Sequence, residues 1–157
     1  MITIKSIVYK PKDEQAAPNS VGYLRKPIAE VNLLEGYGID GDRKGGNPKR
    51  NLNVMDEITL AELEAEGYPN TPGALGENII LGGVDLRDLP VGTLLRLGDE
   101  AVIVLGKPRD PCEQLTPIDD RMPVSVDGRV GIMCQVVKSG HIKVGDLVEI
   151  VPEPVQP

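Results

Sequence analysis

The sequence predicts a mainly β fold: a closed or partly closed β-barrel with one or a few short helices. Gly (18 residues) and Pro (14 residues) are spread along the whole chain and divide it into short segments, a pattern typical of many strands joined by turns. Phe and Trp are absent, so Val, Ile, Leu and Met must build the core, and this set favours strands. The length of 157 residues indicates a single domain, 1–157.

The first half of the chain contains three predicted strands, at Thr3–Tyr9, Ala29–Leu33 and Leu52–Val54. The polar stretch Lys10–Ser20 between the first two is predicted to be a loop without a chemical role. The second strand leads into the glycine-dense run Gly36–Gly46.

One helix is predicted directly after the third strand. Asp56 can cap its first turn, and Met55 and Leu60 have the spacing of a hydrophobic staple. Gly67 can end the helix. Leu60 and Leu63 are expected to pack inward.

From Asn78 onward, turn signals recur at the spacing of an all-β arrangement. The segments Leu94–Leu97 and Ala101–Leu105 form the clearest predicted hairpin. Val130–Val137 and Leu147–Val151 supply two more strands. Closing these strands into a barrel would hide their edges.

The net charge of −7 argues against nucleic acid or an anionic membrane surface as the main partner, because both require excess Lys and Arg. No apolar run approaches the ~20 residues of a membrane span, and Met1–Lys10 lacks the layout of a secretory signal. We therefore expect a cytoplasmic protein whose two cysteines are reduced thiols.

Cys112 is the residue with the most suggestive chemical surroundings. It lies in Lys107–Leu115, where two prolines stiffen the chain and Arg109 is close in sequence. A neighbouring cation favours the thiolate, which ligates soft metals, accepts sulfur or attacks carbonyls. The alternative is a small buried hydrophobic residue. Cys134 falls in a predicted strand and is interpreted as core filler.

The run Gly36–Gly46 concentrates positive charge in an acidic chain, through Arg43 and Lys44, with Arg50 slightly further on. Glycine-rich turns can expose backbone N–H groups, and guanidinium groups bind phosphate in bidentate geometry. The run therefore indicates an anion site, although it lacks the spacing of a P-loop. A turn with merely solvated charges remains the alternative.

Three further polar residues could carry chemistry: Glu77, Asn78 and His141. Glu77 and Asn78 stand at the start of a predicted strand, where they can bind a ligand or hold neighbouring loops together. His141, the only histidine, is expected in an exposed hairpin turn. One histidine and dispersed cysteines provide neither a zinc-ligand set nor a standard catalytic triad.

A series of short motifs, taken in order, resembles the MOSC domain family. The resemblance extends from about Ile28 to about Ile150. Its motifs are Gly38-Ile-Asp-Gly-Asp-Arg43, Gly76-Glu-Asn78, Leu89-Pro-Val-Gly92 with Leu97-Gly98, Pro111-Cys112, and Arg129-Val-Gly131 through Gly145-Asp146.

The resemblance implies a barrel-like fold and a molybdenum cofactor (molybdopterin) site. Cys112 matches the family's cysteine, which is proposed to carry sulfur as a persulfide in sulfurases or to ligate molybdenum in enzymes that reduce N-hydroxylated compounds. The implied cofactor-binding residues are Gly41, Asp42, Arg43, Lys44, Arg50, Glu77, Asn78 and Arg109.

This sequence departs from many relatives, which have His where this chain has Lys44. It contains no pyridoxal-phosphate-dependent cysteine desulfurase domain and no extra N-terminal β domain of the reductase type. A separate cysteine desulfurase or electron-transfer partner is therefore expected.

Two other functions fit the same residues. One is a non-catalytic β-barrel module that binds another phosphorylated metabolite, with Cys112 incidental. The other is a redox-responsive interaction protein in which Cys112 and Cys134 pair under oxidation.

Overall fold

The protein is described by a computed structural model that covers residues 1–11, 25–48, 50–68, 71–109 and 129–152. The strands and helices of this part are, in chain order, β1 (Ile2–Tyr9), β2 (Lys26–Pro27), β3 (Glu30–Leu34), β4 (Gly38–Ile39), β5 (Leu52–Asp56), α1 (Glu57–Ala65), β6 (Ile79–Gly82), a short 3-10 helix (Leu86–Asp88), β7 (Leu94–Leu97), β8 (Ala101–Pro108), β9 (Ile132–Lys138), β10 (Gly140–Lys143) and β11 (Leu147–Val151).

Seven strands form a closed barrel in the order β1, β11, β7, β8, β9, β5, β6 and back to β1. The ring closes where Ile2 of β1 lies opposite Val148 of β11. Neighbouring strands are antiparallel except β5 and β6, which run parallel with Val54 opposite Ile79. The closed ring confirms the predicted barrel.

Alternating burial along the strands explains why this sequence forms a barrel. In β8 and β9 the first, third and fifth residues are buried, and the residues between them are partly exposed. Successive side chains of a strand point to opposite faces, so one face of each strand fills the interior. The interior cluster is aliphatic and includes Ile4, Leu52, Leu81 and Ile103.

Helix α1 has the ends that the sequence predicted. The Asp56 side chain accepts the backbone N–H of Thr59 at 2.7 Å. At the other end, the N–H of Gly67 bonds to the carbonyl of Glu64, and the N–H of Tyr68 to that of Leu63, which is the Schellman pattern. The helix connects β5 to β6, because parallel neighbours require a crossover connection.

A second, three-stranded antiparallel sheet contains β10, β3 and β4 in that order. His141 was expected in a hairpin turn but lies within β10, opposite Asn32 of β3. It is exposed, as expected. The short strands β2 and β4 were not predicted. They pair with β1 and β3 respectively.

No helix among the described residues is long and apolar enough to cross a membrane.

Candidate functional site

The end of β1 and the starts of β5 and β6 meet at one end of the barrel. The backbone N–H of Val8 bonds to the carbonyl of Asn78 at 2.7 Å, and the N–H of Asn78 bonds to the carbonyl of Asn53 at 2.8 Å. The candidate site residues described by the structure lie around this end.

The glycine-rich run folds into a closed turn held from within by Tyr37. The Tyr37 hydroxyl donates to the backbone carbonyl of Asp42 at 2.6 Å, and its ring lies so close to Gly45 that a Cβ there would overlap it. Gly38 has a φ of +121°, and a Cβ there would lie 2.5 Å from the carbonyl oxygen of Asn51. Gly41, with a φ of +85°, turns the chain immediately before Asp42.

Asp42 is the buried centre of this turn, with only 1% of its surface exposed. Its Oδ1 accepts the backbone N–H groups of Lys10 (3.1 Å) and Lys44 (3.3 Å). Its Oδ2 lies 3.5 Å from Nδ2 of Asn78. Asp42 thus joins the turn to Lys10, which follows β1, and to Asn78, which precedes β6, and it fixes the backbone of Lys10 and Lys44.

The side chain of Lys10 is influenced by several other cationic side chains. Burial lowers its pKa, and Lys44, Arg43 and Arg25 lower it further, while Asp42 opposes them. Like charges disfavour one another's protonated forms only when they are close. The structure therefore brings four cations together from three separate stretches of chain.

Arg25, which is partly buried, is a further member of this group of cations. Burial lowers its pKa; the charges of Asp42 and Glu77 oppose that effect, and Arg50 and Arg109 add to it. We call the six cations the basic cluster: Lys10, Arg25, Arg43, Lys44, Arg50 and Arg109. Their exposure ranges from exposed Arg43 and Lys44 to buried Arg109.

Glu77 and Asn78 hold the surrounding loops together. Glu77 is fully buried, and its carboxylate accepts the N–H groups of Gly73 (2.5 Å) and Leu75 (3.1 Å). Burial raises its pKa, and these N–H groups together with Arg25 oppose the rise. The side-chain oxygen of Asn78 accepts the N–H of Asn53 at 3.0 Å. A ligand-binding role for either residue stays a prediction.

Arg109 anchors the chain where β8 ends. Its backbone N–H bonds to the carbonyl of Gly131 at 2.8 Å, and its guanidinium donates to the carbonyl of Leu75. The side chain is only 5% exposed. Cys112 follows by three residues in the sequence and lies outside the described residues.

Cys134 is the core residue that the sequence predicted. It is fully buried in the barrel interior, and burial raises the pKa of its thiol to about 12.

The described residues contain no group of three or more His, Cys, Asp or Glu side chains that could hold a metal ion. His141 lies between the side chains of Asn32 (2.9 Å) and Glu30 (3.1 Å) on the small sheet. A groove of about 280 Å³ beside α1, lined by residues such as Lys5, Glu57 and Glu64, contains no member of the basic cluster.

Sequence reasoning missed Lys10 and Arg25. Lys10 begins the stretch predicted to carry no chemistry, and Arg25 was not singled out. Both gain their importance from the pairing of β1 with β2, which places Tyr9 opposite Lys26. A basic residue at each end of a polar loop was the available signal.

Comparison with known proteins decides the family. The family model of the MOSC domain matches residues 41–149. The chain belongs to the MOSC domain family. This result confirms the resemblance in the motif series, and MOSC domains are linked to molybdenum cofactor binding.

Two curated relatives match this MOSC domain. A protein of Gibberella moniliformis named "Reductase" is 29% identical over 130 residues, which are 74% of this chain and 23% of that protein. The uncharacterized protein YflK of Bacillus subtilis is 29% identical over 140 residues, which are 82% of this chain and 62% of that protein. The chain thus spans less than two thirds of either relative.

Solved structures share the fold. YiiM from Geobacillus stearothermophilus superposes with a TM-score of 0.74 at 24% identity, covering 97% of this chain and 76% of that one. YuaD from Bacillus subtilis gives a TM-score of 0.71 at 20% identity, with 94% of each chain covered.

The residues of this MOSC domain fit the phosphate of a molybdenum cofactor. The basic cluster contains six cations. The carboxylates whose charges act on its members Lys10 and Arg25 are two buried ones, Asp42 and Glu77. This local excess stands in a chain of net charge −7. Crowded cations are stabilised by a bound anion, and guanidinium and ammonium groups are the usual phosphate ligands.

Proposed function

We propose that this MOSC domain binds molybdenum cofactor at the basic cluster and acts on it or with it through Cys112. The observation that carries the proposal is the convergence of cations around one buried carboxylate: Asp42 accepts the N–H groups of Lys10 and Lys44, and the N–H of Arg43 bonds to the carbonyl of Lys10. Cys112 enters the proposal through its match to the family's cysteine, three residues after Arg109 in the sequence.

In this proposal Arg43, Lys44 and Arg50 bind the phosphate. Arg43 and Lys44 are exposed, and their backbone is fixed because Asp42 accepts the N–H of Lys44 and the turn closes on Tyr37. Fixed backbone positions reduce the entropy lost when long side chains bind a ligand.

Glu77, Asn78 and Arg109 support the site from behind. Their side chains contact backbone groups of the loops that surround it. We assign them the positioning of these loops.

Cys112 has two candidate roles. As a sulfur carrier, its thiolate would take the terminal sulfur of a donor persulfide, and the donor would leave as a thiolate. As a metal ligand, it would bind molybdenum through the same thiolate. When bound, the cofactor supplies a redox-active metal suited to reducing N-hydroxylated compounds. A separate cysteine desulfurase serves the first role, and an electron-transfer protein serves the second.

A module that binds another phosphorylated metabolite is the second candidate. The described site residues favour it because their cations can bind a phosphate group of any ligand. They do not select the rest of the molecule that carries the phosphate. In that case Cys112 is incidental.

The experiment that separates these functions is metal and pterin analysis of protein purified from a host that makes molybdenum cofactor. Wild type is compared with Cys112→Ser, with the double variant Arg43→Ala/Lys44→Ala, and with Lys138→Ala as a control. Lys138 is an exposed cation on β9 and is not part of the basic cluster.

The proposal predicts molybdenum and pterin in wild type and the control, and loss of both from the double variant. Pterin retained without molybdenum in Cys112→Ser would assign the cysteine to the metal. Wild type without pterin, or a double variant that loads fully, would overturn the cofactor site and favour the plain binding module.

A further inference from the structure

Two members of the basic cluster lie before the stretch that matches the MOSC family. The match begins at residue 41, whereas Lys10 follows β1 and Arg25 precedes β2. The antiparallel pairing of Val8 with Pro27 and of Tyr9 with Lys26 brings these flanking positions together. The cations are therefore supplied by this chain's own N-terminal segment.

The backbone of Lys10 is fixed to the glycine-rich turn from both sides. Its N–H donates to Oδ1 of Asp42 at 3.1 Å, and its carbonyl accepts the N–H of Arg43 at 2.8 Å. Pro11 and Asp42 form an isolated antiparallel bridge immediately beyond. Lys10 and Arg43 thus extend from directly paired backbone segments.

Arg25 is held against the loop that Glu77 organises. A Cβ added to Gly73 would lie 3.0 Å from Cβ and 3.5 Å from Cδ of Arg25, so the stem of the arginine crosses this glycine. Glu77 in turn accepts the N–H of Gly73. The absence of a side chain at Gly73 gives Arg25 its place beside the cluster.

The cations that act on Lys10 outnumber the carboxylates that act on it: Arg25, Arg43 and Lys44 against Asp42. Among the described residues, no carboxylate forms an ion pair with Lys10, Arg43 or Lys44. Asp42 bonds to backbone N–H groups of this region. Burial, Lys44, Arg43 and Arg25 lower the pKa of Lys10, and Asp42 opposes them.

We propose that Lys10 and Arg25 are further ligand-binding residues that complete, with Arg43 and Lys44, a site for a phosphate dianion. This inference rests on the proposed function and adds the two cations that the family match does not include. The ammonium group of Lys10 supplies a point charge and the guanidinium of Arg25 a planar pair of donors.

The test is a titration of the full chain with inorganic phosphate at about pH 8, above the second pKa of inorganic phosphate, so that the dianion dominates; binding is followed by two-dimensional amide NMR. Sodium chloride at matched ionic strength corrects for screening. The variants are Lys10→Gln and Arg25→Gln, and Lys5→Gln serves as the control because Lys5 is an exposed cation on β1. The spectra also report whether each variant is folded.

We expect each of the two variants to bind phosphate about tenfold more weakly, the loss typical of one charge-assisted contact. The control should bind within about twofold of wild type. Arg25→Lys, which keeps the charge, should retain part of the affinity and provides the Arg25 test if Arg25→Gln is unfolded.

Wild-type affinity in folded Lys10→Gln and in the Arg25 variant would overturn this inference. If Arg43→Gln still weakened binding in that case, the proposed phosphate site would stand without its N-terminal residues. Wild type that shows no phosphate-specific shifts would overturn both.

Discussion

Replacing Asp42 with alanine tests whether one buried carboxylate organises the site. Asp42 is 1% exposed and accepts the N–H groups of Lys10 and Lys44 at 3.1 and 3.3 Å. A hydrogen bond to a charged group contributes about 1.5–3 kcal/mol. Because Lys44 is exposed and water can replace its partner, the lower value applies to each bond, which gives a loss of about 3 kcal/mol.

The measurement is urea denaturation of Asp42→Ala, Asp42→Asn and Asp40→Ala in buffer without phosphate. Asp40 is an exposed carboxylate in the same turn, so its variant should remain within about 0.5 kcal/mol of wild type. Asparagine retains one acceptor oxygen, and Asp42→Asn should lose about 1 kcal/mol. A free energy of unfolding of Asp42→Ala within about 1 kcal/mol of wild type would refute the organising role.

Three further predictions concern the thiols, one glycine and pH. In native protein a disulfide reagent should titrate Cys112 alone. The Cys112→Ser variant should react only after denaturation, because Cys134 is fully buried and the pKa of its thiol is about 12. A thiol that reacts quickly in native Cys112→Ser would contradict this. Gly131→Ala should lower the free energy of unfolding by about 2 kcal/mol or more. Gly131 has a φ of +104°, and a Cβ there would overlap the side-chain oxygen of Asn53. Wild-type stability of this variant in calorimetry would disprove the contact. Phosphate affinity should fall as pH rises through the lowered pKa of Lys10, because binding requires the protonated ammonium group. Lys10→Arg should move that fall to higher pH. If NMR gives the same pH profile of phosphate affinity for wild type and Lys10→Arg, Lys10 is excluded as a phosphate ligand.

The barrel was predictable because its signals are local. Leu94–Leu97 and Leu147–Val151 were predicted with the bounds that the structure shows. Gly92 and Gly98 flank the first segment, and Gly145 and Pro152 flank the second. Asp56 and Gly67 likewise define α1 by contacts within a few residues. Strand order was not predictable, because the parallel pairing of β5 with β6 depends on contacts distant in sequence.

The site was predictable in part for the same reason. Arg43 and Lys44 lie together in the chain, and their turn carries a recognisable motif. Lys10, Arg25 and Arg109 join them only through strand pairing, which no local pattern reveals. Arg109 was predicted as a ligand residue, and the structure shows its guanidinium donating to the backbone carbonyl of Leu75. This contact could not be predicted, because Leu75 belongs to a loop that is distant in sequence from Arg109.

The most direct test of the central claim is a crystal structure of protein purified from a host that makes molybdenum cofactor, with anomalous diffraction used to locate molybdenum. We predict the cofactor phosphate within hydrogen-bonding distance of Arg43 and Lys44, and the molybdenum beside Cys112. A cofactor bound elsewhere, for example in the groove beside α1, would contradict the assignment of the basic cluster.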